Sequence, residues 1–178
     1  ILKIMFKTFI KRTCYKISKK YQLLLSTEIA KKHNFKVIEG PFKNLKLQKK
    51  TTWGHSDIGS KVLGQYERKI QDLIIDLQKK FAIKTFLDIG GADGYFSVGT
   101  LVNKTFSKSI VFEVSENSQN SILKTAILNN VRDFIEIHGI ANEKNLLRVF
   151  KTKPKKDEFL LLSDIEGNEY NLFTEKSL

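Results

Sequence analysis

The residues best suited to chemistry lie in one run, Asp88-Ile89-Gly90-Gly91-Ala92-Asp93-Gly94-Tyr95-Phe96. An acid stands at the end of a strand-like apolar stretch, a glycine-rich turn follows, and a helical pattern begins near Tyr95. Glycines permit a sharp turn and let a ligand lie against the backbone with no Cβ between them. In an open α/β sheet such a turn sits at the carboxyl ends of the strands, where ligands bind. A dinucleotide fingerprint counted from Gly90 requires glycine at 92 and 95, and those positions are Ala92 and Tyr95. No Gly-Lys-Ser/Thr triphosphate loop is present. What remains is D-x-G-x-x-x-G, Asp88 to Gly94. A carboxylate at its head suits a ligand with a positive amino group, such as the methionine portion of S-adenosylmethionine, and repels a diphosphate.

A second acid agrees. Glu113 ends the stretch Ser109-Ile110-Val111-Phe112-Glu113, nineteen residues after Gly94. An acid there can accept both ribose hydroxyls of an adenosine. One acid at a strand end is commonplace, but the pair at this spacing is harder to read as chance. The candidate cofactor contacts are therefore Asp88, Gly90, Gly91, Ala92, Asp93, Gly94, Tyr95 and Phe96, with Glu113 and Val114 after the next strand.

Four stretches together resemble the FkbM family of methyltransferases. They are the glycine turn, Phe112-Glu113 with Ile127-Leu128-Asn129-Asn130 after it, Asp164-Ile165-Glu166-Gly167-Asn168-Glu169, and Gly64-Gln65-Tyr66-Glu67. The resemblance covers roughly residues 40 to 178, and D-x-E-G-x-E is its most family-specific part. It implies a class I, Rossmann-like fold and transfer of a methyl group from S-adenosylmethionine to a hydroxyl, usually on a sugar, polyketide or similar natural product. It also implies more strands than the four legible here. Ile1 in place of Met, and Phe173 to Leu178 running on from a helix-like start, read as a chain cut at both ends. Many class I enzymes hold the adenine amino group with an acid after the third strand; here Ile140, Ala141 and Asn142 take that place. Many FkbM-type sequences carry a basic residue two positions before the fourth-strand acid, where this chain has Leu162.

The resemblance places Asp164, Glu166 and Glu169 where the reacting methyl group would lie. An O-methyl transfer needs the acceptor hydroxyl deprotonated as it attacks in line with the S–CH3 bond. A carboxylate can take that proton, or two can hold a Mg2+ that lowers the hydroxyl pKa. Asp164 is the first candidate for base or metal ligand and Glu166 the second. Glu169 reads as an acid favouring the positive end of a following helix. His55 reads as an ordinary loop histidine and His138 as a strand-end residue, structural or beside the cofactor. Tyr66 sits on an apolar stripe, which favours core packing over contact with the cofactor.

The elements that must position these groups alternate strand and helix. Strands are expected over Thr85–Ile89, Ser109–Glu113, Phe134–His138 and Glu158–Asp164, with helices from about Tyr95 and over Ser118–Asn129. Short apolar strands separated by helices indicate parallel βαβ units, so an α/β, Rossmann-like parallel sheet in the order 3-2-1-4 is expected. Ahead of them the spacing predicts a helix over residues 2 to 32 and a short hairpin over 35 to 50 around Gly40-Pro41. A loop over 51 to 57 follows, and then one helix from Ile58 to about Phe81, with Ser56 or Asp57 as its N-cap. The domain reading is a basic extension over 1 to 50 and a methyltransferase domain, C-terminally incomplete, over 51 to 178.

Charge divides the chain the same way. The net charge is +12, and residues 1 to 50 hold 14 Lys and Arg against only Glu28 and Glu39. Residues 51 to 178 are balanced, 17 against 17. The lysine-rich first helix reads as a docking or oligomerisation helix, or as an amphipathic helix making weak peripheral contact with an anionic membrane. No nucleic-acid-binding pattern follows it. No stretch is long and apolar enough for a membrane helix, and the apolar clusters near the start are broken by Lys3, Lys7 and Lys11. Cys14 is alone, which excludes an internal disulfide and fits a reducing, cytoplasmic setting. The expected partner is a small-molecule or glycan acceptor. The contrasting expectations are an inactive methyltransferase-like module held to an anionic surface by residues 1 to 50, and an NAD-dependent oxidoreductase, which the glycine spacing disfavours.

Overall fold

The computed structural model describes residues 2–50, 55–150, 158–165, 167 and 169–172. Helix α1 (Leu2–Lys32) leads into a compact loop and a 3-10 turn (His55–Asp57), then α2 (Ile58–Val62) and α3 (Arg68–Phe81). The sheet and its crossovers follow as β1 (Thr85–Ile89), α4 (Tyr95–Val102), β2 (Lys108–Phe112), α5 (Glu116–Leu128), β3 (Ile135–His138), α6 (Glu143–Phe150), β4 (Phe159–Ser163) and α7 (Glu169–Leu172). Among the described residues the pairings within the sheet are parallel and the order is β3-β2-β1-β4. This is the expected Rossmann-like arrangement.

Its register explains what is buried. In β1, Asp88 lies between Val111 of β2 and Leu162 of β4, so the strand has neighbours on both edges. Side chains alternate between faces. Phe86 packs with Ile74, Ile83 and Phe106, while Leu87 and Ile89 meet Ile110, Phe112 and Leu172 on the opposite side. Helix α6 lies in a stretch where the sequence reading placed no element. Its Leu146, Val149 and Phe150 recur at helical spacing and cover that second cluster.

Two expectations are corrected, and a third, the N-cap, falls on Asp57. The single helix over 58 to 81 is two, because Gly64 (φ +68°) and Glu67 (φ +44°) adopt left-handed backbone. A Cβ on Gly64 would come within 2.1 Å of the Glu39 carbonyl, so the chain turns where it presses on the preceding loop. With the helix broken, Leu73 is exposed while Ile74 is buried. The hairpin over 35 to 50 is reduced to one antiparallel bridge, Lys36 with Lys46, closed by Val37 N–H to the Leu45 carbonyl and Leu47 N–H to the Phe35 carbonyl. Asp57 stands at the N-cap of α2 without a side-chain capping bond. The Lys151-to-Lys156 run and the loop around Trp53 lie outside the described residues.

The loop between α1 and α2 is nonetheless built into the main core. Val37, Phe42 and Leu45 are fully buried with Tyr95, Val98 and Ile122. Phe42 meets Tyr95 and Phe96 edge-on, with ring centroids 5.3 Å and 5.7 Å away. We predict that Phe42→Ala lowers unfolding stability by about 3–5 kcal/mol, as for truncation of a buried aromatic. A loss below about 1 kcal/mol in urea titration would show that the loop is peripheral to the core.

Candidate cofactor-binding site

The turn between β1 and α4 lies where the sheet changes direction. From β1 the chain moves outward to β2 and β3, then returns to add β4 on the other side. The crevice at such a switch point is where open α/β sheets bind ligands. Gly90 (φ +95°) stands directly against β4: an added Cβ would lie 2.1 Å from the Asp164 carbonyl oxygen. On the β2 side the Gly90 N–H donates to the Phe112 carbonyl, and on the β4 side the Asp164 N–H donates to the Ile89 carbonyl. The glycine requirement at 90 is therefore imposed by the neighbouring chain. At Gly91 a Cβ would fall 2.3 Å from the Val111 side chain. Gly94 is the left-handed N-cap of α4.

Two carboxylates converge on this turn. Asp88 is buried beneath it, and burial pushes its carboxyl up to about 7; the charges of Glu113 and Asp164 add to the rise. Ser97 opposes the rise, although its hydroxyl falls outside hydrogen-bond geometry. Glu113, at the end of β2, accepts the Ala92 N–H through Oε2 and the Ser115 N–H through Oε1, both at 2.9 Å. Its own N–H donates to the His138 carbonyl, and its carbonyl accepts the Gln119 side chain. Glu113 thus ties the β1–α4 turn to the β2–α5 loop, and each carboxylate oxygen keeps acceptor capacity beyond the bond it already makes.

Asp93, expected as a cofactor contact, has a buried ion-pair partner. Its carboxylate meets the Lys61 ammonium at 2.7 Å, and both side chains are over nine-tenths buried. Asp93 also accepts the Tyr95 N–H at its carboxylate and the Thr125 hydroxyl at its carbonyl. Lys61 lies over the Tyr66 and Tyr95 rings at 5.0 Å and 5.5 Å. Lys61, three residues after Ile58 on a helix, was the missed residue; its spacing puts it on the inward face, and its type suggested solvent. Gln71 was missed for the same reason. It is fully buried and donates to the Tyr66 carbonyl and the Tyr95 hydroxyl.

The remaining candidates scatter around this centre. Tyr95 is buried, Phe96 and Ala92 are half-buried, and Val114 is exposed. Asn142 is exposed, and its side chain accepts the Asn145 N–H, capping α6. Ile140 is exposed beside it, its carbonyl accepting the Asn145 side chain, and Ala141 packs with the second core cluster. Asp164 is exposed at the end of β4. Glu166 lies outside the described residues. Glu169 accepts the Ile165 N–H at 2.8 Å and so braces the turn after β4.

Tyr66 is half-buried, and its hydroxyl is pushed up to about 12, first by burial and then by the charges of Glu67, Asp57, Asp93 and Asp164. It stays protonated at neutral pH. Glu67 is raised by burial and by the charge of Asp164. His138 stacks on Phe112 at 5.2 Å, with Nε2 3.6 Å from Glu136. The side chain of His55 lies outside the description. Among the described residues, no group of three or more His, Cys, Asp or Glu side chains could hold a metal ion.

No protein-family model and no curated protein matches this chain. Solved structures match at low identity. The O-methyltransferase from Bacillus cereus in complex with SAH is 20% identical, over 54% of this chain and 44% of its own, with a TM-score of 0.43. The O-methyltransferase TomG from Streptomyces achromogenes, involved in tomaymycin synthesis and solved in complex with SAM, is 12% identical, over 75% of this chain and 48% of its own, with a TM-score of 0.40. The chain spans less than half the length of either.

Two predictions follow from the buried charges. Lys61→Met strands the Asp93 carboxylate and should cost about 3–5 kcal/mol, whereas Lys61→Met combined with Asp93→Leu should recover much of that loss. Additive losses in denaturant titrations would mean that the pair is not coupled. The second concerns Asp88. Its native pKa lies above the unfolded value, so the native state holds a proton that the unfolded chain releases. Its contribution to stability is complete below the ordinary carboxylate range and is lost as pH rises to about 7. Asp88→Asn should therefore gain stability relative to the parent chain as pH rises across that window. A constant difference between the two would refute the shifted pKa.

Proposed function

We propose that this chain binds S-adenosylmethionine and belongs to a methyltransferase of the FkbM type, acting on a hydroxyl of a sugar or natural-product acceptor. The observation that carries this reading is the placement of Asp88 and Glu113 on either side of the Gly90-to-Gly94 turn, at the switch point of a 3-2-1-4 sheet. The resemblance at Asp164-Ile165-Glu166-Gly167-Asn168-Glu169 supplies the family and the acceptor class.

The cofactor supplies a methyl group on a positively charged sulfur. In this reading Asp88 balances the cofactor's amino group from beneath the turn. Glu113, already oriented by two backbone donors, accepts the ribose hydroxyls with its remaining lone pairs. Ile140, Ala141 and Asn142 border the adenine. Asp164, exposed at the end of β4 beside Gly90, takes the proton from the acceptor hydroxyl as its oxygen bonds to the methyl carbon and the carbon–sulfur bond breaks.

Calorimetric titration of S-adenosylhomocysteine, with NADH as a parallel titrant, tests the reading. Micromolar affinity is expected for the first and none for the second, with Asp88→Ala and Glu113→Ala each losing at least roughly tenfold. Because a cationic amino group favours ionised Asp88, binding below pH 7 should also release a proton, seen as a heat that varies with the buffer's ionisation enthalpy. Equal affinity for NADH, or indifference to both substitutions, sinks the proposal.

A further inference from the structure

Helix α1 has a part that the fold does not use. Its last turns hold Ser26, Ile29 and Ala30 against α2 and the core, with the Ser26 hydroxyl accepting the Gly59 N–H at 2.7 Å. From Lys11 to Leu25 every side chain is exposed, over a length of about 22 Å at 1.5 Å per residue. Cys14, Ile17, Tyr21 and Leu24 recur at intervals of three and four and form one stripe. Ile17, Tyr21 and Leu24 are 64%, 65% and 55% exposed. Arg12, Lys16 and Lys19 recur by the same spacing on the face turned away from that stripe, and Lys20 flanks it. No acid occurs on the helix before Glu28.

We propose that this segment is a membrane-surface anchor, lying in the plane of a bilayer rich in anionic lipids with the Ile17–Tyr21–Leu24 stripe in the acyl boundary and its basic residues at the headgroups. Isolated apolar surface residues need no explanation, but a continuous helical stripe does. Charge selects the occupant. The segment carries five positive charges and no negative one, so pairing with a second copy would bring like charges together. Lys31, Lys32 and Lys36 extend the basic surface toward the globular part, all exposed. A nucleic acid would satisfy the charge and leave the aliphatic stripe in water, whereas a lipid surface satisfies both. The helix lies on the bilayer and does not cross it: no described helix is long and apolar enough to span. The inference is independent of the cofactor reading, since it uses none of the residues of the glycine turn.

The test is flotation of the whole chain with vesicles of phosphatidylcholine alone and of phosphatidylcholine mixed with phosphatidylserine, at low and high salt. Binding is expected only to the mixed vesicles, falling steeply as salt shortens the screening length. Lys16→Gln and Lys19→Gln should each weaken it roughly fivefold. The pair Ile17→Ser and Leu24→Ser should weaken it at least about tenfold while leaving the thermal midpoint unchanged, because both side chains are exposed. Binding indifferent to the serine pair, equal binding to neutral vesicles, tighter binding to polyuridylate than to vesicles, or a dimer formed in place of vesicle binding would each overturn the proposal.

Discussion

The approach of the β4 backbone to Gly90 is the constraint on which the rest of the structure depends. The Asp164 carbonyl occupies the place a side chain would take, and the Asp164 N–H closes onto Ile89. That contact fixes the two sides of the switch point at one separation. It also sets Asp88 under a roof of backbone, between Val111 and Leu162, where water cannot reach its carboxyl. The raised proton affinity of Asp88 is a consequence of this closure. A site that must hold a cationic ligand group gains from such an acid, because an interaction made in a dry environment is little screened.

A second layer holds the first in place. The Lys61–Asp93 pair reaches from α2 into the glycine turn, and Gln71 reaches from α3 to Tyr95 at the start of α4. Both come from elements that precede the sheet in sequence. The break at Gly64 and Glu67 is what lets α2 and α3 approach the turn from separate directions. Buried ion pairs are weak evidence for stability, since desolvation offsets much of their attraction. Their geometric effect is clearer: with its carboxylate held by Lys61 and by the Tyr95 N–H, Asp93 sets where the turn ends and α4 begins.

Charge is separated by element. The basic residues of the first fifty positions lie mostly on exposed faces of α1 and the loop after it, while Glu67 and Asp164 lie within electrostatic reach of the protonated Tyr66. The basic segment and these acidic groups thus belong to different elements. Screening confines the field of each to about 10 Å at moderate salt.

The sequence alone determined the parallel sheet and its order, because short apolar strands alternating with helices leave few right-handed topologies to choose from. It also determined the D-x-G-x-x-x-G turn and the acid nineteen residues beyond it, since both are local in sequence. The helix over 2 to 32 was legible from its spacing, but its fate was not: periodicity shows an apolar face and cannot show whether anything covers it. The break at 63 to 67 escaped detection because the deciding contact, Gly64 against the Glu39 carbonyl, lies between residues 25 apart in the chain. Asp93 was read as a ligand contact by its place in the motif. Tertiary structure adds what the motif does not show, since Lys61, 32 residues away, holds its carboxylate. Local pattern sets the elements and the chemistry they carry, whereas the ionisation and partners of each carboxylate depend on what folding brings alongside it.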